Sequence, residues 1–238
     1  MERLLDEHIE KLKTRVIKMC SLVDEQVQFA IQAVEEDNLE LAQSIIDRDK
    51  KVNKYDVKID KICQKIFALA QPVAMDLRYI MSSLTINSNL ERIGDIAVNI
   101  AENVILIKKK PEFYKDTKLE EMFNLTRRML KNAIDAFIGG NPELAKEVIL
   151  TDDVVDKLNA ENHLILKSIM KQNPNSIESA VALLVISREL ERLADHSTNI
   201  AEDVFFIVEA QMIKHKYEKF IFGDDDSDNE DDKIETES

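Results

Sequence analysis

Tryptophan is missing from this chain, and glycine and proline number only four each in 238 residues. So few chain-breakers leave little room for the tight turns of a β-rich fold and point to long helices. Four glycines also exclude the P-loop, the Gly-rich dinucleotide turn and the nucleophile elbow, each of which needs glycine at fixed spacing. Cysteine occurs twice, as Cys20 and Cys63, each in an apolar helical stretch. Both are expected to be buried thiols, and neither a disulfide framework nor a structural zinc site can be built from them. The longest apolar runs, such as residues 181–186, fall far short of the roughly 20 residues that span a bilayer. Met1-Glu2-Arg3-Leu4-Leu5-Asp6-Glu7 reads as amphipathic helix rather than as an export signal. A soluble, cytoplasmic protein that is not membrane-embedded is expected.

What is present is apolar and acidic. Hydrophobic residues make up 45% of the chain, enough for a sizeable core. Net charge is −14, of which residues 224–238, with nine acidic residues and one lysine, carry −8. That segment has almost no apolar residues and is expected to be a disordered, solubilising tail. The remainder is mildly acidic and shows no basic stripe with interleaved aromatics, so nucleic-acid binding is not expected.

The most informative feature is a repeat. Leu90-Glu91-Arg92-Ile93-Gly94-Asp95, followed by Asn99-Ile100-Ala101-Glu102, returns as Leu190-Glu191-Arg192-Leu193-Ala194-Asp195, followed by Asn199-Ile200-Ala201-Glu202. A repeat of this period predicts two copies of one folded unit. Prolines and turn signals cut the chain into helices near 3–36, 39–71, 73–109, 117–138, 142–172 and 175–220. Asn38-Leu39-Glu40-Leu41-Ala42 and Asn141-Pro142-Glu143-Leu144-Ala145 match as helix starts, with Asn as N-cap. Gly139-Gly140 and Lys110-Pro111 are the clearest breaks. The expected fold is all-α: two tandem antiparallel three-helix bundles, residues 1–110 and 111–222, followed by the acidic segment 223–238.

At about 100° per residue, Ile93, Ala97, Ile100 and Val104 share one side of the third helix, and Glu91, Asp95, Asn99 and Glu102 the other. Leu193, Ile200 and Val204 with Glu191, Asp195, Asn199 and Glu202 repeat the layout, so the acidic stripe is expected to face away from the core in both copies. The second helix of each triplet has a matching row: Asp49, Asn53, Asp56 and Asp60, then Asp152, Asp156, Asn159 and His163. Folding each hairpin back near Pro72 and near residues 173–174 sets Asp49 opposite Asp95, Asn53 opposite Glu91, Asp152 opposite Asp195, and Asp156 opposite Glu191.

A solvated face is the commoner state for any single Asp or Glu. Like charges one turn apart nevertheless cost a few tenths of a kcal/mol per pair, and concentrating them in both copies is easier to explain if cations neutralise them. Oxygen ligands favour Mg, Mn, Ca or iron in a carboxylate environment, with zinc admissible. Two alternatives stand beside this: a metal-dependent hydrolase or metal-storage bundle, and a structural helical adaptor. Against a ferritin-like centre, no Glu-x-x-His occurs and the stripes face outward. His8, His163, His196 and His215 have no recognisable catalytic company, and His196 is expected to be an ordinary surface or interface histidine.

Gln71-Pro72-Val73-Ala74-Met75-Asp76-Leu77-Arg78, running on to Leu90-Glu91-Arg92-Ile93-Gly94-Asp95, resembles the signature of the PhoU family of phosphate-transport accessory proteins. So does Glu191-Arg192-Leu193-Ala194-Asp195 with Asn199-Ile200, and the resemblance runs to about Phe222. It implies two tandem three-helix bundles, frequent dimerisation, and iron or zinc clusters at Glu/Asp-x-x-x-Asp motifs on the surface. These fall on Glu91 with Asp95, Glu191 with Asp195, and Asp152 with Asp156. Asp49 fits only with Asn53 in the last place, which predicts weaker binding in the first copy. The resemblance further implies negative regulation of phosphate uptake and of the phosphate-starvation response. That role runs through contact with the ATPase of the phosphate ABC transporter and the phosphate sensor histidine kinase, without enzymatic activity. The second copy departs from the pattern at Ser176-Ile177-Glu178, which replaces Asp-Leu-Arg, and the acidic segment after Gly223 lies outside it.

Overall fold

The computed structural model describes residues 2–210, with side chains from Leu5 onward. Six long helices follow one another: α1 Glu2–Glu36, α2 Leu39–Leu69, α3 Ala74–Ile107, α4 Leu119–Gly139, α5 Pro142–Gln172 and α6 Ile177–Glu209. Short 3-10 turns at Glu112–Asp116 and Pro174–Ser176 complete the connections, and no strand occurs among the described residues. The first three helices form one antiparallel bundle and the last three another, as the repeat predicts.

The boundaries follow from local chemistry. Asn38 Oδ1 accepts from Leu41 N at 2.9 Å and Asn141 Oδ1 from Leu144 N at 3.2 Å, so equivalent side chains open α2 and α5. Gly140 closes α4 in the left-handed region, at φ 60, where glycine carries no Cβ penalty. The sixth helix, expected to reach residue 220, instead closes at Glu209, and Ala210 is left-handed at φ 58. The acidic segment and the end of that expected helix lie outside the described residues.

The two bundles are not separate. α3 packs along α6 in antiparallel sense, and one continuous apolar core runs through both triplets. Polar ties cross the seam in a roughly two-fold pattern. Asn99 Nδ2 donates to Glu189 Oε2 at 3.1 Å, and Asn199 Nδ2 to Asn89 Oδ1 at 3.3 Å. Thr85 Oγ1 donates to Asp203 Oδ2 at 2.6 Å. His196 is indeed an interface histidine, its Nδ1 lying 2.9 Å from Asn89 Oδ1. Cys20 and Cys63 are buried free thiols, and burial pushes both up to about 12.

α6 is enclosed by α3, α4 and α5. That overturns one expectation: Glu202 is only 5% exposed, with Oε1 unpaired, and Asp203 beside it is buried too. Its counterpart Glu102 on α3 is exposed as expected.

Candidate metal-binding faces

In the first bundle α2 and α3 approach closely because Gly94 has no side chain. A Cβ there would lie 3.1 Å from Val52 Cγ1 and 3.6 Å from Asp49 Oδ1. The Asp49 carboxylate is thereby carried against the α3 backbone, one residue from Asp95. Gln26, buried on α1, donates Nε2 to Asp49 Oδ1 at 3.2 Å and to the Gly94 carbonyl at 3.3 Å. Asn53 Nδ2 donates to Asp49 Oδ2 at 2.8 Å. Farther along, Asn87 Nδ2 donates to Asp56 Oδ1 at 2.7 Å and Asp60 Oδ1 at 3.2 Å, which draws these two into interhelical bonding.

The carboxyls of this face feel one another. Glu91 is held above the usual carboxylate range, first by burial, then by Asp95, with Asp56 and Asp49 adding to it against Arg92. Asp95 is raised by burial and then by Asp49. Of the two pairings expected from hairpin arithmetic, Asp49 with Asp95 is seen, while Asn53 bonds to Asp49 on its own helix.

The second bundle repeats the layout with a consequential difference. Asp152 corresponds to Asp49 and, at the same offset, Met129 to Gln26. Met129 is a buried thioether and cannot donate the hydrogen bonds that Gln26 supplies. Thr198 stands beside the Asp152 carboxyl without completing a hydrogen bond: Asp152 Oδ1 and Thr198 Oγ1 are both buried and unpaired. Burial, then Asp195, Asp156 and Asp153, push Asp152 up to about 7. Glu191 is raised by burial, Asp195 and Asp156, and Asp195 by burial and Asp156. Asp156 is raised by burial and Asp153. Four carboxyls of α5 and α6 therefore share one anionic field, and one oxygen of the most buried of them, Asp152 Oδ1, is unpaired.

The other expected ligands are placed elsewhere. Asn99 and Asn199 belong to the α3–α6 seam. Asn159 Oδ1 accepts from Ser187 Oγ at 2.8 Å, and His163 is exposed. Among the described residues no three His, Cys, Asp or Glu side chains are gathered tightly enough to enclose an ion as they stand. The donor set of the second bundle nonetheless fits a hard cation: all-oxygen, strongly anionic, with an orphaned buried oxygen.

Gln26 and Glu189 are missing from the sequence-derived set. A polar residue on the apolar stripe of Val23, Val27 and Ala30 was the available signal for Gln26. Glu189 is 7% exposed and pairs with Arg192 as well as Asn99.

A family model of the PhoU domain matches residues 16–104 and again 119–204, so each bundle, with its acidic rows, coincides with one match. The chain belongs to the PhoU family. It is 36% identical over 215 residues to a PhoU homolog of Aquifex aeolicus, covering 90% of this chain and 97% of that one. PhoU of Escherichia coli is 31% identical over 207 residues, covering 87% of this chain and 86% of its own. Both carry the name phosphate-specific transport system accessory protein. The crystal structure of PhoU from Pseudomonas aeruginosa superposes with a TM-score of 0.83 at 31% identity, covering 87% of this chain and 99% of that one. The regulatory protein PhoU from Streptococcus pneumoniae gives 0.77 at 26% identity, covering 87% and 98%. Within this PhoU chain the two domain copies share a scaffold but differ at Gln26 and Met129, so their acidic faces are chemically unequal.

Proposed function

We propose that this PhoU protein is a cytoplasmic accessory regulator that restrains phosphate uptake and the phosphate-starvation response. It does so by contact with the phosphate ABC transporter ATPase and the phosphate sensor histidine kinase, as a homodimer. Cations, iron or zinc by family likeness and Mg, Mn or Ca by ligand type, set whether its acidic faces are repulsive or neutral toward those partners. The observation that carries this is the row of Asp152, Asp156, Glu191 and Asp195 on adjoining helices, with Asp152 Oδ1 buried and unpaired. Burying a carboxylate without a partner is costly, and a cation removes that cost.

The ligands named for such an ion are Asp152, Asp156, Glu191 and Asp195, and more weakly Asp49, Glu91 and Asp95. A bound ion would supply positive charge at a face otherwise anionic; the chain's part is to hold the carboxyls on two rigid helices. No observation favours hydrolysis over regulation: the groove between α1 and α2 lies on the flank away from the acidic rows.

The test replaces the chromosomal gene with the Asp152→Asn, Asp195→Asn double variant and measures phosphate uptake in phosphate-replete cells. Uptake is expected to rise toward that of a deletion strain, with unchanged protein level. If deletion itself leaves uptake unaltered, the regulatory role fails. If deletion raises uptake but the double variant restrains it normally, the role of the cation site fails.

A further inference from the structure

α2 is charged differently on its two flanks. Lys51, Lys54, Lys58, Lys61 and Lys65 fall within an arc of about 80°, roughly opposite the row of Asp49, Asn53, Asp56 and Asp60. α1 adds Lys11, Arg15 and Lys18, spaced to lie on its own facing side. The absence of a basic stripe expected from the sequence is therefore corrected: the lysines are dispersed among acids along the chain, and only the helical arrangement collects them.

Between the two helices runs a groove of about 710 Å³, its walls formed by Lys18, Leu22, Lys51, Lys54, Tyr55 and Lys58. Arg15 and Lys58 lie 5.8 and 5.1 Å from the Tyr55 ring centre. Among the described residues none of the groove lysines has a salt-bridge partner. Two acids also line it: Glu25 pairs with Arg48, and Asp24 Oδ2 accepts from Gln28 at 2.8 Å. With four lysines against these two acids the groove is net basic, and on a chain of net charge −14 it calls for an anionic occupant.

We infer that this groove is the docking surface for the chain's own acidic segment, residues 224–238. Charge is complementary, a net −8 against the lysines of the groove. The segment lies outside both PhoU domain matches, so the shared scaffold leaves it no other assigned place. The geometry also allows it. Val208, near the end of α6, lies 3.9 Å from the Cβ position of Gly140. Phe137 in the preceding turns stacks on Tyr79 at 6.0 Å, and Lys13 Nζ is 5.7 Å from that ring centre. The described chain thus leaves the bundle at the level of Lys13, where the basic face begins. The 13 residues 211–223 reach up to about 45 Å when extended. The row from Lys51 to Lys65 is only about 21 Å long, and crossing two helices adds about 20 Å. Tethering raises the local concentration of the segment, so modest charge attraction suffices, and salt weakens it.

Carbodiimide cross-linking of the full chain, read by mass spectrometry on a mixture of ¹⁴N and ¹⁵N protein, decides this. Carboxyls of residues 224–238 are expected to couple within one chain to Lys18, Lys51, Lys54 and Lys58, about tenfold more than to exposed Lys131 and Lys167. The preference should vanish in about 1 M salt, and coupling to Lys18 should be lost in the Lys51→Glu, Lys54→Glu, Lys58→Glu variant, whose helical circular dichroism should be unchanged. Coupling spread evenly over all exposed lysines overturns the inference. So does coupling that is chiefly between chains, which makes a second copy the occupant, or coupling indifferent to the variant.

Discussion

Asp152→Asn stabilises the cation-free protein at pH 8, an unusual outcome for a substitution at a half-buried polar site. The folded state raises Asp152 from 3.8 to about 7, through burial and then through Asp195, Asp156 and Asp153. A raised folded value means that the native state holds this proton more tightly than the unfolded chain does. Below the unfolded value both states are protonated and the group is neutral in effect. Stability is lost as pH climbs from about 4 toward 7, and the loss is complete above that. Asparagine never ionises and escapes it. Solvent screening at this site reduces the gain to on the order of 1–2 kcal/mol, roughly 3–6 °C in Tm for a chain of this size. Thermal melts in chelator at pH 4, 6 and 8 check it: the variant and the parent should converge near pH 4 and separate by pH 8. Parallel curves would mean that Asp152 is not the strained carboxyl.

Gly94→Leu works in the opposite direction. The first added carbon already meets Val52 Cγ1 at 3.1 Å, and the rest of the side chain has to displace α2 or enter the Asp49 carboxylate. Overpacking of this kind costs about 2–3 kcal/mol even after the helix-propensity gain over glycine, so Tm should fall by roughly 5–10 °C. Gly139→Ala is the control, since nothing lies within 4 Å of a Cβ there. It should be neutral or slightly stabilising. Equal effects at the two glycines would contradict the close α2–α3 approach that places Asp49.

Position 94 and its repeat at 194 show how far a sequence carries. Gly94 and Ala194 occupy equivalent places in a visible repeat, and Asn38 and Asn141 announce equivalent helix starts. Periodicity then sets the acidic rows, and the hairpin fold sets Asp49 by Asp95 and Asp152 by Asp195. What one helix at a time does not reveal is the packing of α3 on α6. That packing takes Asn99 and Asn199 into the seam, and Glu202 is buried where its repeat counterpart Glu102 is exposed. Gln26 and Met129 escape notice for a related reason: each is one residue in an apolar stripe, and their contrast matters only once Asp49 and Asp152 are seen against them. The lysine row of α2 is periodic in sequence but interleaved with the acidic row, so counting charges along the chain hides the contrast between the two flanks.

The claim on which the regulatory account turns is that the α5–α6 carboxyls bind a cation. Calorimetric titration of chelator-stripped full-length protein with Mn²⁺ and with Zn²⁺ in two buffers of different ionisation heat, at pH 7, measures binding and proton release together. With Asp152 raised to about 7, part of the protein is protonated there at that pH, and cation uptake by the parent should expel protons. The Asp152→Asn, Asp195→Asn variant should lose both the binding and the release. No uptake by the parent, or equal uptake by the variant, would contradict the account.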